Sequence, residues 1–409
     1  MSLSTQNYKG TRDFYPEDMR LRKWMFGKWR EVLESFGYEE YDGPILESLD
    51  LFTAKTSEEI VNDQSFNFTD RGGRRVVMRP EMTPTVSRMV AKKRQELGYP
   101  LRLYSIPNCF RYERQQRGRL REFWQLNADI FGVEGTEAEF EMMLVINKLM
   151  ESFGASEDMY EIRINSRSLL NKRITDAGIK TSLSEVTRVI DAFDKLDEAT
   201  FKTKLKTQVD DPAKLYGFLT KDGGTAEGDE LLEQAVKAGV KNIKFVPTIA
   251  RGFEYYTDIV FEVFDKNPEN NRSLFGGGRY DGLVGEFGVE PVPTVGFGMG
   301  DVTFQNFLES NNLLPEQTTE TDIYMIVIGD VASQAQELAQ QLRAKCINVA
   351  VDLSGRKLDK QIKTADKKCI KYVLFVGESE LDSGKFKIKD INSGKEVVAS
   401  IDEIPKVLG

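Results

Sequence analysis

The chain has 409 residues, enough for two or three domains at about 150 residues each. Apolar residues make up 40% and charged residues 30%, with a formal net charge of −9, so a sizeable core is available and a wholly disordered chain is excluded. There is no histidine, which removes Ser-His-Asp and Cys-His triads, HExxH zinc sites and imidazole acid–base catalysis together.

The first predicted element is an amphipathic helix from Pro16, with Leu21, Met25, Trp29, Val32, Leu33 and Phe36 at spacings of three and four and Gly37 as a stop. A strand-like stretch follows and breaks at Gly43-Pro44. Val76–Arg79 reads as a strand and Pro84–Leu97 as a helix. Leu101–Glu113 and Arg121–Gly132 form an antiparallel pair around a polar loop. Glu137–Phe153 is then a helix and Tyr160–Asn165 a strand. From about 166 to 241 strand signals vanish and the pattern turns helical, with a break at Asp222-Gly223-Gly224, so this part reads as an insertion. Strand character resumes over Phe245–Phe264. Phe275–Gly288 is glycine-rich, Pro293–Met299 is a strand and Asp301–Asn311 the helix after it.

Thr318–Thr321 is a polar linker. Beyond it strands Ile323–Ile328, Ile347–Val351 and Tyr372–Val376 alternate with helices Ala332–Ala344 and Leu358–Ala365, an order that implies a mainly parallel sheet. No apolar run reaches the ~20 residues that span a bilayer, and Met1–Gln6 lacks the basic and apolar regions of a secretory signal. Cys109, Cys346 and Cys369 form no disulfide framework. A cytoplasmic location without a membrane partner is expected.

With period two, Phe123, Gln125, Asn127 and Asp129 fall on one face of their strand, and Trp124, Leu126, Ala128 and Ile130 on the other. The first face suits a polar pocket floor; a hairpin with its polar side in water fits it as well. Arg111, Arg114, Arg117, Arg119 and Arg121 crowd into eleven residues of an acidic chain. Guanidinium forks match phosphate oxygens, so a nucleotide or nucleic-acid ligand competes here with a solvated hairpin tip. Gly296-x-Gly298-x-Gly300 has the wrong spacing and context for a dinucleotide fingerprint. Between Arg356 and Lys371, seven basic residues face two acidic ones, a net of +5, and Lys360, Lys363, Lys367 and Lys371 recur at helical spacing. Such a face serves a nucleic-acid backbone or simply solvent.

These residues resemble a known family. Phe110–Phe123 (FRYERQQRGRLREF) is similar to motif 2 of class II aminoacyl-tRNA synthetases, in its histidyl-tRNA synthetase form. RGFEYYT at Arg251–Thr257 resembles the histidine-specific RGLDYYT, and GGGRYDGL at Gly276–Leu283 the second such motif. Arg79–Thr83 (RPEMT), Lys9–Phe14 (KGTRDF) and Asp352–Arg356 (DLSGR) extend the likeness over nearly the whole chain. Motif 2 indicates only the class; the two histidine motifs are specific.

The resemblance implies an α+β catalytic domain on an antiparallel sheet, residues 1–320 with a helical insertion at about 166–241. A C-terminal α/β anticodon-binding domain, 322–409, completes it. It also implies a homodimer, with the Leu21–Phe36 helix and the strand before Pro44 at the interface. The implied reaction has two steps: histidine and ATP, the latter carrying Mg2+, give histidyl-adenylate, and the acyl group passes to histidine tRNA. Arg111 and Arg251 would flank the α-phosphate and the attacking carboxylate. In this family the second arginine stands where related enzymes use a metal ion, so no side chain here is expected to ligate metal. Glu113 and Phe123 would hold adenine and Arg119 the outer phosphates. Glu81, Thr83 and Gln125 would receive the α-amino group, Asp129 and Tyr256 the imidazole, with Tyr255 and Tyr280 lining the pocket. Arg356, Lys360, Lys363 and Lys367 would meet tRNA.

Three positions depart from the family's pattern. Thr303 stands where motif 3 has its arginine, Asp129 where many relatives have Glu, and Glu254 where the tyrosine motif has Asp. A catalytically silent regulatory subunit of ATP phosphoribosyltransferase shares this fold, but it typically lacks the C-terminal module and the active-site arginines, which this chain keeps.

Overall fold

The computed structural model describes residues 3–53, 64–114, 116–221, 223–250, 255–270, 272–316 and 319–408. They divide into two compact units: Met1–Asp13 with Trp24–Leu314, and Phe14–Lys23 with Pro315–Gly409.

Helix α1 (Pro16–Ser35) starts with Glu17 and Asp18 at its positive end and stops before Gly37, whose φ is +80°. In the first unit its Met25, Phe26, Trp29, Val32 and Leu33 are buried in the main core. That apolar stripe is occupied within the chain.

The elements that follow are β1 (Glu39–Glu40), β2 (Leu46–Ser48), α2 (Asp50–Thr53), β3 (Phe66–Thr69), β4 (Arg75–Met78) and α3 (Thr83–Lys92). Next come β5 (Leu101–Ser105), β6 (Asn108–Phe110), β7 (Glu122–Phe131), α4 (Glu137–Ser152) and β8 (Tyr160–Ser166). Helix α3 is shorter than its sequence pattern, because its last turn tightens to i−3 bonds at Lys93 and Arg94 ahead of Gly98 and Pro100. The strand expected over Leu101–Glu113 divides at Pro107, which has no N–H for the ladder.

Helices α5 (Arg167–Asp176), α6 (Leu183–Ile190), α7 (Glu198–Leu205), α8 (Pro212–Leu219) and α9 (Ala226–Lys237) follow, each opened by a capping side chain: Ser166, Ser182, Asp197, Asp211 and Thr225. Leu170, Ile174, Ile190, Phe201, Leu215 and neighbours give α5 to α8 a core of their own, whereas Leu231 and Ala235 of α9 join the main core. After them come β9 (Ile243–Phe245), β10 (Ile259–Asp265), β11 (Ser273–Arg279), β12 (Thr294–Gly300) and α10 (Asp301–Ser310).

The nine-stranded sheet runs β1-β5-β7-β12-β11-β10-β8-β9, with β6 also paired to β7. All its pairs are antiparallel except β1/β5 and β8/β9. A smaller antiparallel sheet, β2-β4-β3, stands apart.

In the second unit the elements are β13 (Ile323–Val327), α11 (Ala332–Arg343), β14 (Val349–Val351), α12 (Leu358–Lys367) and β15 (Tyr372–Val376). Then come α13 (Glu378–Ser383), β16 (Phe386–Asp390), β17 (Glu396–Ala399) and α14 (Ile404–Leu408). The sheet order is β14-β13-β15-β16-β17, parallel as expected through β15 and then closed by an antiparallel hairpin. Ile323 and Met325 face one helix layer, and Tyr324 and Ile326 the other. Lys371 leaves the basic face read from the sequence, because Cys369 turns the chain at φ +55° after α12.

Candidate active site

The site is built on β7. Its register sets Asp129 opposite Gly296, Asn127 opposite Gly298 and Gln125 opposite Gly300 of β12. A Cβ on Gly296 would stand 2.0 Å from Asp129 Oδ1, and one on Gly298 2.7 Å from the Gln125 amide nitrogen. The Gly-x-Gly-x-Gly run is therefore a strand device that clears room for polar side chains, while Val295, Phe297 and Met299 between the glycines enter the core. Leu126, Ala128 and Ile130 of β7 do the same. The polar face does not look into water.

Gln125 and Asn127 of that face line an open cavity of about 340 Å3, while Asp129 lies behind it, bonded to the lining residue Tyr280. Glu81, Thr83, Arg111, Gln125, Tyr255, Tyr256 and Tyr280 all line it, joined by Asn127, Gly276 and Gly298, which the sequence reading did not select as ligand contacts. Asn127 was legible as a member of the polar face; nothing in composition or spacing distinguished it from its neighbours.

Each wall is fixed from behind. Arg79 is buried and donates to the carbonyls of Asn108 and Gly43 at 2.9 and 2.6 Å, holding the segment that presents Glu81. The Tyr255 hydroxyl donates to Glu81 Oε2 at 3.1 Å, and Tyr255 packs against Tyr256 and Tyr280 with ring centroids 4.9 and 5.6 Å apart. Arg279 makes a bidentate pair with buried Glu139, both contacts 2.7 Å, and so secures the end of β11 next to Tyr280.

Asp129 is 3% exposed. Burial pushes its carboxyl up to about 7, opposed by the hydrogen bond that the Tyr280 hydroxyl donates to Oδ1. Oδ2 is buried and has no hydrogen-bond partner among the described residues.

Arg111 Nε donates to the Pro80 carbonyl at 2.9 Å, and its guanidinium lies 5.3 Å from the Phe123 ring centre and 4.0 Å from Glu113. Glu113 also pairs with the exposed Arg119 at 3.3 Å. Phe123, Glu113 and Arg119 thus gather beside Arg111 and are absent from the cavity lining proper. Arg251, with Gly252, Phe253 and Glu254, lies outside the described residues.

The arginine-rich loop is tied to the β10–β11 hairpin: Arg272 Nη1 donates to the Arg117 carbonyl at 2.5 Å, and Arg117 Nη1 to that of Glu269 at 3.3 Å. Thr303 Oγ1 donates to the Leu274 carbonyl at 2.9 Å. Arg272 Nη1 and Thr303 Cγ2 come within 3.1 and 3.2 Å of the place a Cβ would take on Gly118. Arg272, the residue before β11, thus brings its guanidinium to the same side of Gly118 as Thr303. The Lys9–Phe14 segment also docks here: the Gly10 carbonyl accepts from Arg121 N at 2.8 Å, and Arg12 pairs at 2.7 Å with buried Asp301. Among the described residues no three His, Cys, Asp or Glu side chains gather as a metal site.

A sequence model described as "Histidyl-tRNA synthetase" matches residues 10–300, well over half of the chain. The chain belongs to the histidyl-tRNA synthetase family. A second model, "Anticodon binding domain", matches residues 322–409. A histidine–tRNA ligase of Leptospira biflexa is 43% identical over 98% of this chain and 96% of its own length. One of Thermoplasma volcanium is 33% identical over 98% of both. Among solved structures, a histidyl-tRNA synthetase from Nostoc sp. PCC 7120 shares the fold at a TM-score of 0.83 with 23% identity, covering 100% of this chain and 99% of that one. A protein from Bacillus halodurans, titled ATP phosphoribosyltransferase regulatory subunit/histidyl-tRNA synthetase, shares it at 0.73 and 23%, over 92% of this chain and 99% of its own.

In the anticodon-binding-type unit, Lys360, Lys363 and Lys367 are exposed along α12. Arg356 is more constrained, donating to Ser354 Oγ at 2.7 Å and Thr364 Oγ1 at 2.9 Å and lying 3.6 Å from Asp352. Buried Gln361 fastens α12 to β13 by accepting from Val327 N at 3.0 Å and donating to its carbonyl at 2.9 Å.

Proposed function

We propose that this chain is a histidine–tRNA ligase, which joins histidine to ATP as histidyl-adenylate and then passes the acyl group to the 3′ end of histidine tRNA. The observation that carries this reading is the single hollow lined by Glu81, Arg111, Gln125 and three tyrosines, with buried Asp129 behind it, bonded to Tyr280. Full-length likeness to ligases from two organisms supports it.

The chemistry asks for positioning and charge rather than proton shuttling, which fits a chain without histidine. ATP enters as its Mg2+ complex. Arg111 neutralises charge developing on the α-phosphate, with Arg251 as its partner there. Phe123 stacks on adenine, Glu113 receives its amino group, and Arg119 reaches the outer phosphates. Arg272 supplies beside Thr303 the cation that motif 3 otherwise provides. Glu81, Thr83 and Gln125 hold the substrate's ammonium group, and Tyr255, Tyr256 and Tyr280 enclose its side chain.

Asp129 selects the side chain. Its unpartnered Oδ2 leaves a buried acceptor whose desolvation costs about 1–3 kcal/mol until a donor arrives. An imidazole N–H satisfies it, and an apolar side chain of similar size does not. On the second unit Lys360, Lys363 and Lys367 meet the tRNA backbone, and Arg356, already oriented, makes a directed contact.

A homodimer is also proposed. Ile45, Leu46 and Phe68 on the small sheet are 46%, 50% and 50% exposed, an apolar surface suited to a second copy. A cytoplasmic location accords with the reaction, and no helix among the described residues is long and apolar enough to cross a membrane. The regulatory-subunit reading is weaker, since the C-terminal unit and Arg111 are both present. Histidine-dependent exchange of pyrophosphate into ATP is the test, and a pure folded protein that exchanges with no amino acid would sink the assignment.

A further inference from the structure

Four consecutive residues at the β8–α5 junction, Asn165-Ser166-Arg167-Ser168, hold both ends of one distant segment. On the upstream side the Asn165 amide donates to the Pro247 carbonyl at 3.0 Å and the Ile249 carbonyl at 2.7 Å. Arg167 Nη1 donates to the Ala250 carbonyl at 2.5 Å. On the downstream side the hydroxyls of Ser166 and Ser168 donate to Asp258 Oδ1 at 2.8 and 2.9 Å, and Arg167 N–H donates to the Asp258 carbonyl at 2.9 Å. Between these two anchorages the chain carries Tyr255 and Tyr256, two walls of the cavity.

We propose that Asn165 and Arg167, assisted by Ser168, are positioning residues for the amino-acid half of the active site, acting through Tyr255 and Tyr256. This rests on the ligase reading above. Both principal side chains are buried, and none of the three lines the cavity, so they act through backbone they hold and not by touching substrate. Residues 247–250 and 255–258 are in neither strand nor helix, so side-chain donors supply there what a ladder would. Arg167 is also the first residue of α5, so the site's geometry is set by the entry to the helical part of the chain.

The ligase reading gives ATP to Arg111 and Phe123, neither of which is held by the 165–168 junction. Misplacing Tyr255 and Tyr256 therefore weakens use of histidine selectively, whereas plain loss of stability lowers the active fraction and leaves both KM values alone. The experiment is pyrophosphate exchange by the full chain, normalised to active sites by adenylate burst, for Arg167→Met, Arg167→Lys, Asn165→Asp and Ser168→Ala. Arg167→Met and Asn165→Asp are expected to raise KM for histidine by about 10-fold to 10²-fold with KM for ATP held within about twofold. Arg167→Lys should recover part of the loss, and the milder Ser168→Ala should shift histidine in the same sense.

Wild-type KM for histidine in every variant that folds would overturn the proposal, as would an equal rise for ATP. Ser168→Ala removes one hydroxyl from a surface position and decides the matter if the buried variants fail to fold. Absence of exchange in the wild-type protein overturns instead the ligase reading, and the positioning role with it.

Discussion

The Tyr280 hydroxyl donates to Asp129 Oδ1, which leaves the buried Oδ2 without a hydrogen-bond partner among the described residues. The Tyr280 main chain is held by its N–H donating to the Thr294 carbonyl at 2.8 Å, and its ring is buried and packed 5.6 Å from that of Tyr255. One oxygen is thus engaged within the protein, and the proposed ligase reading gives the other to the substrate's imidazole.

The pH dependence follows from this pair. Asp129 holds its proton up to about pH 7 when folded, against a carboxylate's ordinary 3.8. Between those values the folded state binds the extra proton, so this group's contribution favours folding at low pH and is lost as pH rises through about 7. Asp129→Asn is neutral throughout. Its melting temperature should exceed the wild type's above pH 7, with the gap closing as pH falls, while histidine-dependent exchange collapses. Thermal melts from about pH 4 to 8.5, which spans nearly all of the window between 3.8 and about 7, and exchange assays check both halves.

Gly296→Ala inserts a methyl 2.0 Å from Asp129 Oδ1, against a strand backbone that cannot yield easily. Overpacking should cost about 1–3 kcal/mol in denaturant unfolding. The surviving folded enzyme should show a raised KM for histidine, since the carboxylate is driven from its place.

Cations on the phosphates separate by role. Arg111→Ala should slow adenylate formation by about 10²–10³ in single turnover, with Arg111→Lys intermediate because an ammonium lacks the fork. Arg272→Ala should act chiefly on KM for ATP, and an unchanged value would return Thr303 to being an unanswered gap.

Replacing Lys360, Lys363 and Lys367 together by Gln leaves the buried side of α12, with Gln361 and Ala365, untouched. Pyrophosphate exchange should be preserved and tRNA charging weakened. The salt dependence of tRNA binding should lose about one unit of log–log slope for each phosphate contact removed.

Much of the fold was legible because it is written in short-range periodicity. The α1 stripe, the alternating polar face of β7 and the strand–helix rhythm beyond Asp322 all follow from what a helix or strand does to neighbouring side chains. Boundaries failed where one residue intervened: Pro107 split a strand, and Cys369 took a left-handed turn that carried Lys371 off its helix. Arg272 carried no signal, because its proposed role comes from its place near Gly118 and Thr303, both remote in sequence.

The sequence by itself determined the family, the types of side chain available for the chemistry and the exclusion of imidazole catalysis, because composition and motif spelling are properties of the chain alone. Only the tertiary structure decided which of those side chains share a cavity, why β12 needs glycine opposite Asp129, and that a junction at residues 165–168 fastens the segment bearing Tyr255 and Tyr256. These are relations between strands and segments brought together by folding, and hydrogen bonds, steric fit and burial act on distance in space, which residue order does not record.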